Sequence, residues 1–113
     1  MIRDADRISH MLTAIADAKE SIAGLTKEQF LANKDKRVAA ERYILIVGEA
    51  SHMVSSDTKA KHPEIPWQDI YAMRNIVAHE YMNVDYNEVW QAIAIDFDEL
   101  KKQVEPILHE FKA

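Results

Sequence analysis

The chain has 113 residues, 48% of them hydrophobic and 29% charged, the balance of an ordinary globular protein and a length suited to a single domain over residues 1–113. It has no cysteine, which excludes disulfides, thiolate zinc sites and cysteine nucleophiles together. The net charge of −5 excludes indiscriminate nucleic-acid binding, so any RNA contact has to use a local patch.

With two glycines and three prolines there are few places to turn sharply, which favours long helices over a many-stranded sheet. Ile8, Met11, Leu12, Ile15, Ala18 and Ile22 recur at helical spacing between Asp4 and Ala23, and Gly24 supplies a stop. Thr26 and Gln29 have the spacing of a capping box that opens a short helix carrying Phe30. Asn33 or Asp35 begins the next helix, with Val38, Ile44, Leu45, Val47 and Ala50 as apolar contacts. Ile44 to Val47 is apolar all round, the mark of a central helix buried on more than one side. Residues 55–66 are polar, hold Pro63 and Pro66, and read as the one substantial loop. Pro66 suits the first turn of a helix running from Trp67 towards His79. Asp85 and Glu88 repeat the capping spacing ahead of Val89, Trp90, Ile93 and Ile95. The helical pattern then continues, or is briefly interrupted, into Leu100, Val104, Ile107, Leu108 and Phe111, with Pro106 expected to bend or split it. The expected fold is all-α: an antiparallel bundle of four to five main helices with short connections.

The charge is uneven along this plan. Residues 33–61 carry six Lys/Arg against four Asp/Glu, and residues 82–113 carry three against seven. The first residues, Met1 to Asp6, are charged and lack the apolar core of a signal peptide. No apolar run approaches the ~20 residues of a membrane span. A cytoplasmic location is expected.

Met73 to Tyr81 is the informative stretch. Arg74 falls on the stripe formed by Trp67, Ile70, Val77 and Tyr81, so its guanidinium is partly desolvated and needs a partner. The plainest partner is a carboxylate such as Glu49 on the buried helix. His79 lies five positions on, roughly 140° around a regular helix, so the two side chains cannot meet on one straight face. Either the helix ends near His79 and swings it round, or the two meet across a symmetric interface.

Arg74-Asn75, then His79 and Tyr81, fills the pattern of an arginine, four residues, a histidine, any residue and a tyrosine. On this motif the chain resembles the HepT-like toxins of the HEPN superfamily. Ile46 to Ala50 is similar to that family's central helix, His62 to Trp67 to its loop and next helix start, and Val84 to Trp90 to the segment after the motif. The likeness covers most of the chain from about Arg37 onward.

The resemblance implies a metal-independent endoribonuclease, the toxin of a type VII toxin–antitoxin pair, with no cofactor and no metal. It implies a symmetric homodimer that sets two copies of the motif in one cleft, with Arg74 and His79 catalytic and Asn75 and Glu49 supporting. Tyr81 would be the site where a nucleotidyltransferase antitoxin of the MntA type attaches AMP. RNA is the implied substrate, tRNA among the candidates. The residue types suit the chemistry: a histidine, with an ordinary pKa of about 6.5, exchanges protons near neutrality. An arginine holds phosphate oxygens with two parallel donors.

Other signals carry less. His10, His52, His62, His79 and His109 include no pair at the i, i+4 spacing of a helical zinc site. There is no glycine-rich phosphate loop and no Gly-x-Ser-x-Gly elbow. Lys59-Ala60-Lys61-His62 is a small basic cluster, read first as solvated loop and second as a phosphate contact. Trp67 and Trp90 read as core or interface anchors. The competing functional reading is a noncatalytic helical subunit that docks a nucleotidyltransferase.

Overall fold

In the computed structural model, which describes residues 3–111, seven α-helices follow one another. They are α1 (Asp4–Ile22), α2 (Lys27–Leu31), α3 (Lys34–His52), α4 (Ser56–Lys61), α5 (Trp67–His79), α6 (Tyr86–Gln91) and α7 (Phe97–Glu110). A 3-10 turn at Tyr81–Asn83 follows α5, and a π-helical stretch at Ala92–Asp96 joins α6 to α7. Four of the helices are long, as the periodicity predicts. Met1 and Ile2, part of the charged leader reading, lie outside the described residues, as do Lys112 and Ala113.

The helix starts follow from side-chain chemistry. Thr26 Oγ1 accepts from the Gln29 amide at 3.1 Å while Gln29 Oε1 accepts from the Thr26 amide at 2.9 Å, the reciprocal box expected from the spacing. Asn33, not Asp35, caps α3, accepting from the Lys36 amide at 3.1 Å. Gly24 follows the end of α1 with φ +80°, a conformation that glycine adopts without strain. Asp85 caps α6 by accepting from the Asn87 amide at 2.9 Å, a tighter turn than the box implied by Glu88.

One hydrophobic cluster runs through α1, α3 and α7. Ile8, Met11, Ile15 and Ala18 of α1 and Val104 and Ile107 of α7 are sealed from solvent, together with Phe30 and Val47. Helix α3 packs chiefly against α1 on one side and α5 on the other, so it occupies the centre, as its continuous apolar run predicts. Burying side chains of this size contributes about 1.5–3 kcal/mol each, enough to order the long helices.

Several expectations require correction. Residues 55–66 are not one loop: Ser56–Lys61 is a helix, capped by Ser55 accepting from the Thr58 amide. Its start is also pinned from afar. The Asp4 carboxylate accepts from the Ser55 amide at 3.0 Å and from the Ser55 and Thr58 hydroxyls, both at 2.6 Å. Composition missed this because the stabilising partner is fifty residues away. Pro106 does not split α7, which runs through it to Glu110. Both Pro106 and Lys102, whose carbonyl loses its helical donor, are exposed, so water can take the place of the missing N–H. The interruption falls earlier, at Ala92–Asp96, where the Phe97 amide bonds back to the Ala92 carbonyl. Lys19 Nζ donates to the Ala94 carbonyl at 2.9 Å and pairs with Asp98 at 3.1 Å, anchoring this stretch to α1. Val38 and Ile95, expected as core contacts, are 54% and 57% exposed, as is nearly half of Phe111.

Candidate functional site

Arg74 enters the structure through a glycine. A Cβ on Gly48 would sit 2.3 Å from Arg74 Cβ and 2.7 Å from Arg74 Cγ, so only glycine at 48 lets α5 approach α3 this closely. The contact puts the base of the Arg74 side chain directly on the α3 backbone and sends the guanidinium across the next residue, Glu49.

There the guanidinium is held on two sides. Nη2 lies 3.1 Å from Glu49 Oε2, and Nη1 donates to Asn75 Oδ1 at 2.9 Å. The ion pair expected from the sequence is therefore formed, and Asn75 joins it. A guanidinium has five N–H donors, and these contacts use two. Nε is buried and has no partner among the described residues. The Tyr71 ring lies beneath, 5.7 Å from the guanidinium carbon, and is itself stacked on His52 at 3.9 Å. Arg74 is thus fixed in direction yet keeps unused hydrogen-bond capacity.

Arg74 also lines a groove of about 430 Å³ that spans three helices. Arg7 and His10 line it from α1, Arg42, Leu45, Ile46, Glu49 and Ala50 from α3, and Arg74 and Ala78 from α5. Arg7 and His10 are one turn apart, as are Arg42 and Leu45, and Arg74 and Ala78, so each helix presents a polar residue beside a neighbour on the same face. Three guanidiniums and an imidazole share this groove with one carboxylate. The sequence reading singled out neither Arg7 nor Arg42, because they lie 35 residues apart and converge only when α1 packs on α3.

His79 is the last residue of α5, exposed, and is not among the residues lining the groove. The helix is regular up to that point. Five residues of regular helix set the Cα positions of Arg74 and His79 roughly 140° apart around the axis. Tyr81 is not on the α5 stripe as expected: the helix stops at His79, and the Tyr81 ring is 69% exposed in the 3-10 turn beyond, next to an even more exposed Met82. The turn is closed by the Asn83 amide on the Glu80 carbonyl at 2.7 Å.

Two residues of the basic cluster at 59–62, Lys59 and His62, are engaged within the chain. Lys59 Nζ donates to the His52 carbonyl at 3.0 Å, closing the C-terminus of α3. His62 lies between Glu64 at 3.4 Å and Glu110 at 3.1 Å. Trp67 Nε1 donates to the His62 carbonyl, and Trp90 packs on Phe30 at 5.3 Å, so both tryptophans serve packing within the chain. Among the described residues, no three His, Asp or Glu side chains converge as a metal-ligand group, and no helix is long and apolar enough to cross a membrane.

The family model for HepT-like ribonucleases matches residues 11–107. A protein of Thermococcus cleftensis named as a probable ribonuclease HepT is 37% identical over 100 residues, covering 85% of this chain and 91% of its own. A protein of Methanocaldococcus jannaschii named as an RNase candidate is 34% identical over 95 residues, covering 84% and 87%. A similarly named protein of Caldanaerobacter subterraneus is 32% identical over 105 residues, covering 93% and 94%. No solved structure matches the chain.

Proposed function

The chain belongs to the HepT-like ribonuclease family, and from that premise we propose that it is a metal-independent RNA endonuclease working as a symmetric homodimer. It is the toxin of a type VII pair, silenced when a nucleotidyltransferase antitoxin attaches AMP to Tyr81. The observation that carries the reading is the Arg74 guanidinium, held by Glu49 and Asn75 in the lining of an arginine-rich groove.

In the proposed reaction the ribose 2′-oxygen attacks the adjacent phosphorus and the bond from phosphorus to the 5′-oxygen breaks. One proton leaves the 2′-hydroxyl and one reaches the departing oxygen. Arg74 binds the non-bridging oxygens as negative charge builds on them. His79 handles the proton transfers, an assistance typically worth ~10²–10⁴-fold. Since one chain turns His79 away from the Arg74 groove, the second copy supplies the histidine. Glu49 and Asn75 hold Arg74 in position. Tyr81 supports the regulatory part by its exposure: its hydroxyl is open to a modifying enzyme, and an attached phosphodiester would bring negative charge to the end of the Arg74 helix.

The orientation of His79 also favours a second reading, a noncatalytic subunit that docks a nucleotidyltransferase. Cleavage separates the two. Purified protein in chelator should cut RNA to leave a 2′,3′-cyclic phosphate and a 5′-hydroxyl, and Arg74→Ala and His79→Ala should each abolish cutting while keeping the helical spectrum. Incubation with ATP, Mg²⁺ and the partner nucleotidyltransferase should add AMP to the wild type and not to Tyr81→Phe, by mass spectrometry. Uncut RNA from folded, unmodified protein overturns the enzyme reading in favour of the docking subunit.

A further inference from the structure

The groove contains more positive charge than the Arg74 site needs. The chain has five arginines, and three of them, Arg7, Arg42 and Arg74, line this one cavity. Glu49 is the one carboxylate in the lining, and it is already paired with Arg74. Arg7 and Arg42 form no ion pair with any described residue. Arg37 provides the contrast: it donates to the Leu31 carbonyl and lies over the Tyr86 ring, an arginine consumed by the fold.

Two unpaired guanidiniums beside a third repel one another unless an anion is present. The rest of the molecule makes their convergence more telling, since its net charge is −5. All three charges are guanidiniums, whose planar fork suits phosphate oxygens bidentately. The rest of the groove lining, Leu45, Ile46, Ala50 and Ala78, is apolar, a surface that accepts a ribose or a base face.

We infer that Arg7 and Arg42, with His10 beside them, form a phosphate-binding track for single-stranded RNA that leads across α1 and α3 to Arg74. The inference rests on the ribonuclease reading and deepens it: these residues hold phosphates flanking the one that is cut. They place the strand and take no part in bond breaking. The track also supplies the local positive patch that an acidic protein requires to bind RNA at all.

The test measures binding apart from cleavage. A short fluorescein-labelled oligouridylate is titrated by anisotropy against His79→Ala protein across a salt series, and against the same protein carrying Arg7→Gln and Arg42→Gln. Each phosphate contact contributes about 0.7 to the slope of log affinity against log salt for a single strand, so losing two should lower the slope by about 1.4. Affinity at low salt should fall roughly tenfold or more. Lys102→Gln, on the exposed side of α7 and outside the groove, should change the affinity little. Circular dichroism and sedimentation of each variant accompany the titrations. The single substitutions Arg7→Gln and Arg42→Gln, each expected to lower the slope by about 0.7, carry the test if the double variant does not fold.

An unchanged slope, or an oligouridylate that the parent protein does not bind, overturns the track. So does a groove variant that alters the oligomeric state and leaves the slope intact, which would make the arginines a protein contact. Wild-type cleavage with an unchanged slope refutes the track alone. A lowered slope with no cleavage by the wild type refutes the catalytic reading and leaves the track standing.

Discussion

At the scale of single residues, Gly48 sets the position of Arg74, and its replacement reads out that dependence. Alanine at 48 has to push α5 away, because the clash is with Cβ and Cγ close to the backbone rather than with a movable side-chain tip. Overpacking of this kind costs about 1–3 kcal/mol, offset by up to about 1 kcal/mol from the better helix propensity of alanine. Gly48→Ala should therefore lower the unfolding free energy by about 1–2 kcal/mol in a denaturant titration. It should also reduce RNA cleavage, since the guanidinium moves with its helix. Arg74→Ala retains the Cβ that a Cβ at position 48 would meet at 2.3 Å, so the destabilisation should persist in that background. Relief of the loss by Arg74→Ala would show that the long side chain, and not the helix approach, is what glycine accommodates.

At the scale of elements, α4 depends on a carboxylate from the start of α1. Burial raises the pKa of Asp4, but hydrogen bonds from the Ser55 and Thr58 hydroxyls and the Ser55 amide, with the Lys59 charge, outweigh it and leave the group below its ordinary value. A carboxylate whose folded pKa is depressed stabilises the fold above its unfolded pKa, and that contribution is lost as pH falls through the folded value. Asp4→Ala should thus cost about 1 kcal/mol near neutrality, the low end for charge-assisted bonds at a partly exposed site. The gap between variant and wild type should close as the pH drops below about 4. Unfolding curves at a series of pH values check this, and a gap that stays constant into acid would mean that packing, not the ionised carboxylate, holds α4.

At the scale of the whole molecule, the proposed homodimer raises the question of which copy's His79 meets which copy's Arg74. Within one chain α5 is regular through His79, and His79 is not among the residues that line the groove. A composite site in a homodimer predicts complementation. Inactive Arg74→Ala and inactive His79→Ala proteins, mixed and allowed to exchange subunits, should recover part of the cleavage activity. In the mixed dimer one intact arginine and one intact histidine come from different chains. No recovery after proven exchange would require both residues from the same chain and hence a rearranged α5. A monomer at all concentrations in sedimentation would remove the composite site altogether.

The sequence by itself determined the helical class, the run of long helices, the Thr26 cap, the turn at Gly24 and the ion pair of Arg74 with Glu49. These are encoded by residues within a few turns of each other or by a buried charge that needs an opposite one. The motif residues Arg74, Asn75, His79 and Tyr81 were visible for the same reason, being neighbours in the chain. Tertiary structure decided the rest. The helix at Ser56–Lys61 is secured by Asp4 across fifty residues, and the π-helical stretch is tied to Lys19 on α1. The prolines at 63 and 106 both led to less helix being expected than is found, since neither the long-range cap of α4 nor the exposure of the Lys102 segment is written locally. The arginine groove is the clearest case. Arg7, Arg42 and Arg74 are scattered over 68 positions, and only the packing of α1 and α5 on either side of α3 gathers their charge onto one surface.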